Sequence, residues 1–100
     1  MLVHTVLFWL RKDLKGDQIT EFRVGLEALK HIKSAEAVYI GSPAEMEPRP
    51  GIRLSTYDFC LTVILKDVKA HDAYQVDPIH RNFIETYASH WKRVRIYDAD

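Results

Sequence analysis

Tyr57-Asp-Phe-Cys-Leu-Thr-Val-Ile-Leu65 puts Tyr57, Phe59, Leu61, Val63 and Leu65 on one side of an extended chain and Asp58, Cys60, Thr62 and Ile64 on the other. A period of two with β-branched and aromatic residues throughout predicts a strand. Both of its faces are substantially apolar, so both need cover. The N-terminal stretch Leu2–Leu10 reads the same way, with Val3, Leu7 and Trp9 alternating with Val6, Phe8 and Leu10.

Between these strands the period changes. Gly16-Asp17 offers a turn and an N-cap, after which Ile19, Phe22, Leu26, Leu29 and Ile32 recur at three and four residues, predicting an amphipathic helix of about four turns. Ala35 to Ile40 is a short strand closed by Gly41. Gly41-Ser-Pro-Ala-Glu-Met-Glu-Pro-Arg-Pro-Gly51 carries three prolines and no period, so residues 41–55 form a long loop, either a wide hairpin connection or the cover of a site. Beyond Leu65, Asp67 caps a helix running to about Gln75, and Asp77-Pro78 supplies a cap and a first-turn proline for another that carries Ile79, Phe83, Ile84 and Tyr87. Trp91 to Tyr97 alternates again and makes a fourth strand.

The order strand, helix, strand, strand, helices, strand predicts an α+β, ferredoxin-like split βαβ domain over residues 1–100, with a four-stranded antiparallel sheet and its helices on one face. The second sheet face is then bare. Because the first and third strands are apolar there too, packing two sheets across a two-fold axis is the economical cover, so the expected partner is a second copy of the chain. A hundred residues bury only about two-thirds of their unfolded surface, and a partner subunit adds to that.

Fourteen basic and fourteen acidic residues leave no net field to collect nucleic acid. No run approaches the roughly twenty apolar residues of a membrane span, and the N-terminus lacks the marks of a leader, so no membrane and a cytoplasmic location are expected. The single Cys60 has no internal partner, which suits a reducing compartment. No metal or cofactor is expected: His71-Asp72 and Asp77 with His80 match no zinc spacing, and there is no glycine-rich phosphate loop.

This organisation, together with His4-Thr-Val-Leu-Phe8, Tyr57-Asp-Phe59, Tyr74-Gln-Val-Asp77-Pro78-Ile-His80 followed by Phe83, and the closing Trp91-Lys-Arg-Val-Arg-Ile-Tyr-Asp98, resembles the stress-responsive A/B barrel, or dimeric α-β barrel (Dabb), family over essentially the whole chain. The resemblance implies a dimeric α/β barrel. The family contains stress-induced plant proteins, bacterial members of unassigned role, and olivetolic acid cyclase. By likeness to that cyclase, Tyr74 and His80 are the candidate catalytic pair and His4 is a further site residue. Asp58 stands where the cyclase has a histidine on its third strand, and Asp77 where family members carry the histidine before proline.

The residues also carry a reading of their own. If Asp77 caps the helix starting at Pro78, His80 lies in its first turn, where the helix dipole disfavours imidazolium and keeps a neutral base. Such a base can take a proton α to a carbonyl while the Tyr74 hydroxyl hydrogen-bonds the developing enolate. His4 and Asp58, if on one sheet face, make a second acid–base element; otherwise Asp58 pairs with a basic side chain or a backbone amide. Phe8, Phe83 and Tyr87 are the candidate walls for a small apolar or aromatic ligand. The alternative is a non-catalytic stress-response or assembly protein, with His80 bonded to a carbonyl and Tyr74 as core.

Overall fold

In the computed structural model, which describes residues 1–100, the strands β1 (Leu2–Leu10), β2 (Ala35–Gly41), β3 (Phe59–Leu65) and β4 (Trp91–Ala99) form one antiparallel sheet in the order β2-β3-β1-β4. Helices α1 (Gly16–Ala28), α2 (Val68–Val76) and α3 (Pro78–Tyr87) connect them, with 3-10 turns at Leu29–His31 and Ala88–His90. This is the ferredoxin-like arrangement that the pattern predicts.

Register decides which side chains meet. Leu2 faces Leu65 and His4 faces Val63, so the even positions of β1 share a face with the odd positions of β3. On that face Leu2, Val6, Phe8, Leu10, Phe59, Leu61, Val63 and Leu65 are buried against Phe22, Leu26, Leu29, Ile32, Tyr74 and Phe83 from the helical side. Ile19, at the start of the predicted helical stripe, stays at the rim and is 39% exposed. The opposite sheet face carries Val3, Leu7 and Trp9 beside Thr62 and Ile64, and no helix of the chain covers it. Tyr39 and Tyr97 add aromatic surface there, 64% and 61% exposed.

Local chemistry fixes the ends of the helices. Asp67 accepts from the Ala70 amide at 2.8 Å, capping α2, and Asp77 accepts from the Ile79 amide at 2.8 Å, capping α3 with Pro78 at its first position. The first helix is capped differently from the expectation: it begins at Gly16, two residues earlier than an Asp17 cap allows, and Gln18 accepts from the Lys15 amide at 2.8 Å. Gly25 lets α1 and α3 approach, because a Cβ there would lie 2.3 Å from Cε2 of Tyr87. The proline-rich segment contains a turn closed by a bridge between Arg49 and Arg53, with Gly51 at φ 75°. None of residues 41–55 lines one of the chain's cavities.

Candidate functional site

A cavity of about 130 Å³ lies between the sheet and the second and third helices. His4, Tyr74 and His80 reach it together, with Phe8 and Phe83 among the mostly apolar walls.

The break between α2 and α3 makes this possible. Around an unbroken helix, residues six apart point about 240° from one another. Asp77 instead takes an extended conformation (φ −61°, ψ 137°) between two helices, and both side chains turn to one cavity, with ring centroids 4.8 Å apart. The Tyr74 residue is fully buried and its hydroxyl has no hydrogen-bond partner. Burial pushes its phenol pKa up, so the hydroxyl stays protonated and can only act as a neutral donor or acceptor. Burial also lowers the His80 pKa; a hydrogen bond that the ring donates to the Gln75 backbone carbonyl opposes this, the nearby His4 and His71 add to it, and Asp77 opposes it. The imidazole of His80 is therefore neutral at pH 7.

That state has a measurable consequence. An unfolded histidine titrates near ~6.5, above the folded value of His80, so below that pH the unfolded chain binds the extra proton. His80 thus costs no stability at neutral pH and an increasing amount as pH falls from ~6.5 through its folded pKa. Urea unfolding of wild type and His80→Gln between pH 7.5 and 5 should show the substituted protein losing less stability on acidification. A steeper loss in His80→Gln would rule out a buried neutral imidazole.

His4 is 2% exposed in the middle of β1. Directly across the sheet is Asp98, whose Oδ1 lies 2.5 Å from His4 Nδ1. The His4 ring also stands edge-on to His71 and Tyr74, at centroid distances of 5.1 and 5.8 Å. His71 comes from α2, one turn before Tyr74.

Two sequence-derived assignments need correction. Asp58 is not brought to His4: it stands just before β3, where its amide donates to the Phe8 carbonyl, whereas His4 lies further along the sheet opposite Val63. The Asp58 carboxylate accepts from the Leu10 amide at 2.7 Å, which is the backbone alternative left open above. Tyr87, offered as a ligand wall, does not line the cavity; it lies over Gly25 in a groove between the first and third helices, since its position on α3 faces α1 rather than the sheet. Phe8 and Phe83 do line the cavity. Sequence reasoning missed Asp98, and weighed His71 only beside Asp72 as a metal ligand without placing it at this site. Asp98 becomes visible only once the β1–β4 register is known, whereas His71, three residues before Tyr74, lies on the same helical face and was open to detection.

The chain matches the model of the Stress Responsive A/B Barrel Domain over residues 2–100. No curated protein sequence matches it. Among solved structures, a Dabb family protein with a ferredoxin-like fold from Mesorhizobium loti is 20% identical with a TM-score of 0.79, covering 99% of this chain and 94% of that one. A dimeric ferredoxin-like protein of unknown function from Thermobifida fusca is 21% identical with a TM-score of 0.78, covering 98% and 88%. The hydroxynitrile lyase of Passiflora edulis is 13% identical with a TM-score of 0.80, covering 98% and 90%. At these identities the likeness carries the fold and not the chemistry.

Proposed function

This chain belongs to the stress responsive A/B barrel domain family, and on that premise we propose that it is a homodimeric small-molecule protein whose cavity performs proton transfer on a carbonyl compound with its own side chains. The observation that carries this reading is the buried, unpartnered Tyr74 hydroxyl beside the neutral imidazole of His80 in one cavity. Neutral His80 takes the α-proton, and the Tyr74 hydroxyl donates a hydrogen bond to the enolate oxygen as charge develops there. Returning the proton to another carbon gives isomerisation; attack of the enolate carbon on a second carbonyl of the same molecule gives ring closure. His4, oriented by Asp98, is the second group able to hold a proton at the cavity wall.

Size limits the substrate. A cavity of about 130 Å³ is close to the ~150 Å³ that accommodates benzene, so the reacting part is a small ring or short chain, and anything longer extends outside. Phe8 and Phe83 favour an apolar or aromatic body. The same small volume, below the ~300 Å³ at which drug-sized sites begin, favours the alternative of a non-catalytic binding or assembly protein.

The bare sheet face supports the dimer, as do solved neighbours that are themselves described as dimeric. A second copy covers Leu7, Trp9, Ile64 and the exposed tyrosines, and brings both copies of Cys60 under the interface, in keeping with a reducing cytoplasm. No helix is long and apolar enough to cross a membrane.

The reading is tested by deuterium exchange. Small aromatic and aliphatic ketones and aldehydes are incubated with the protein in D2O, and α-proton loss is followed by NMR after a thermal-shift screen has chosen binders. A ligand at a hundred times its dissociation constant adds about 2.7 kcal/mol, well within reach of the screen. His80→Ala should lower the exchange rate by about 10²–10⁴-fold. Binding without exchange above the His80→Ala background sinks the catalytic reading and leaves the binding alternative. Sedimentation of the same sample at micromolar concentration should give about twice the chain mass of 11.7 kDa; a monomer removes the dimer.

A further inference from the structure

Apart from the Tyr74–His80 pair, the fold gathers three side chains with metal-ligating atoms: His4 from β1, His71 from α2 and Asp98 from β4. The ligating atom that each offers lies within 4.8 Å of the other two. We propose that these three residues bind a divalent transition-metal ion of the zinc type at the edge of the cavity, with water in the remaining position.

Two imidazoles and one carboxylate form a nitrogen–oxygen donor set suited to Zn²⁺, as opposed to the all-oxygen sets of Mg²⁺ or Ca²⁺. Ligand atoms about 2.0–2.1 Å from a tetrahedral ion stand roughly 3.3 Å apart, so the set needs modest side-chain adjustment and no backbone change. His4 Nδ1 and Asp98 Oδ1 are hydrogen-bonded to each other, 2.5 Å apart. The ion comes between the two groups and the pair opens; a neutral imidazole binds through the nitrogen that carries no proton, so the step needs no net proton release. Room for this exists: side-chain exposure rises from 3% at His4 through 22% at His71 to 43% at Asp98, which gives the ion a route from solvent. A supporting layer is also present. Asp72 lies 3.3 Å from Nδ1 of His71 and the Gln75 amide 3.4 Å from its Nε2, so the nitrogen that does not bind the ion keeps a contact that orients the ring.

The site shares His4 and Asp98 with the acid–base reading but does not rest on Tyr74 and His80, the pair that carries it. It also explains why spacing rules find no metal pattern. The three ligands come from two terminal strands and a central helix, so only the sheet register and the packing of α2 assemble them.

Zinc titration of the untagged full chain by calorimetry, and cobalt titration followed by visible absorption, test the proposal. One ion per chain is expected. His71→Ala and Asp98→Asn should each weaken binding by at least about tenfold, while Tyr74→Phe leaves it unchanged. Circular dichroism establishes that each variant is folded, and Asp98→Asn, at an exposed position, keeps the test open if His71→Ala is not. No saturable uptake by the wild type overturns the proposal. So does uptake that both substitutions leave intact, or that is lost only with the surface residue His31 in His31→Ala.

Discussion

Phe22→Ala should lower the unfolding free energy by about 3–5 kcal/mol, the range for deleting a large aromatic side chain from a core. Phe22 is fully buried. Its ring is the hub of an aromatic cluster, with centroids 5.3 Å from Phe8, 5.6 Å from Phe59, 5.7 Å from Phe83 and 5.8 Å from Tyr87. These rings come from β1, β3 and α3, so the alanine cavity opens where the sheet and two helices meet and no single element can move in to fill it. For a domain with a typical stability of about 5–15 kcal/mol, such a loss is a large share of the total. Urea unfolding at fixed protein concentration measures it, with Val24→Ala as the control. Val24, on the same helix, is 63% exposed and should change stability by less than about 0.5 kcal/mol. A loss under about 1 kcal/mol for Phe22→Ala would mean that the cluster is not the centre of the core.

Tyr74→Phe should have the opposite sign, stabilising the protein by about 1–3 kcal/mol, the desolvation cost of a buried hydroxyl without a partner. The ring stays and only the oxygen leaves, so packing against His4 and His80 is kept. The same substitution should slow the proposed proton transfer by about 10²–10³-fold, as removal of an oxyanion donor does. Stability gained where activity is lost is what a preorganised site produces, since the donor is held unsatisfied for a ligand to use. Thermal unfolding and the deuterium-exchange assay read the two effects separately. If Tyr74→Phe destabilises, the hydroxyl has a structural partner in solution and is not a free donor. If it stabilises without affecting ligand binding or exchange, Tyr74 is simply an imperfect core residue.

Much of this protein was legible in its sequence because local chemistry governs it. The alternation of Tyr57–Leu65 and Leu2–Leu10 specified the two central strands and their two apolar faces, and Asp67 and Asp77-Pro78 marked helix starts that the structure keeps. The 3-residue and 4-residue spacing of Phe22, Leu26 and Leu29 likewise located the buried stripe of α1. Even the common cavity of Tyr74 and His80 follows from a local break, though the family resemblance rather than the spacing singled the pair out.

What the tertiary structure alone decided is which residues meet across the sheet. A strand's own pattern says which residues share its faces, but not which residue of another strand lies opposite; a one-residue change of register exchanges the faces. The observed registers put Asp98 against His4 and leave Asp58 at the far end of the β1–β3 pair, bound to the Leu10 amide. The packing angle of α2, fixed by the whole core, then brings His71 to the same place. The sequence determined the elements and their buried faces because those depend on neighbours a few residues away. The composition of the polar cluster depends on contacts between the two ends of the chain, and only the assembled sheet brings those together.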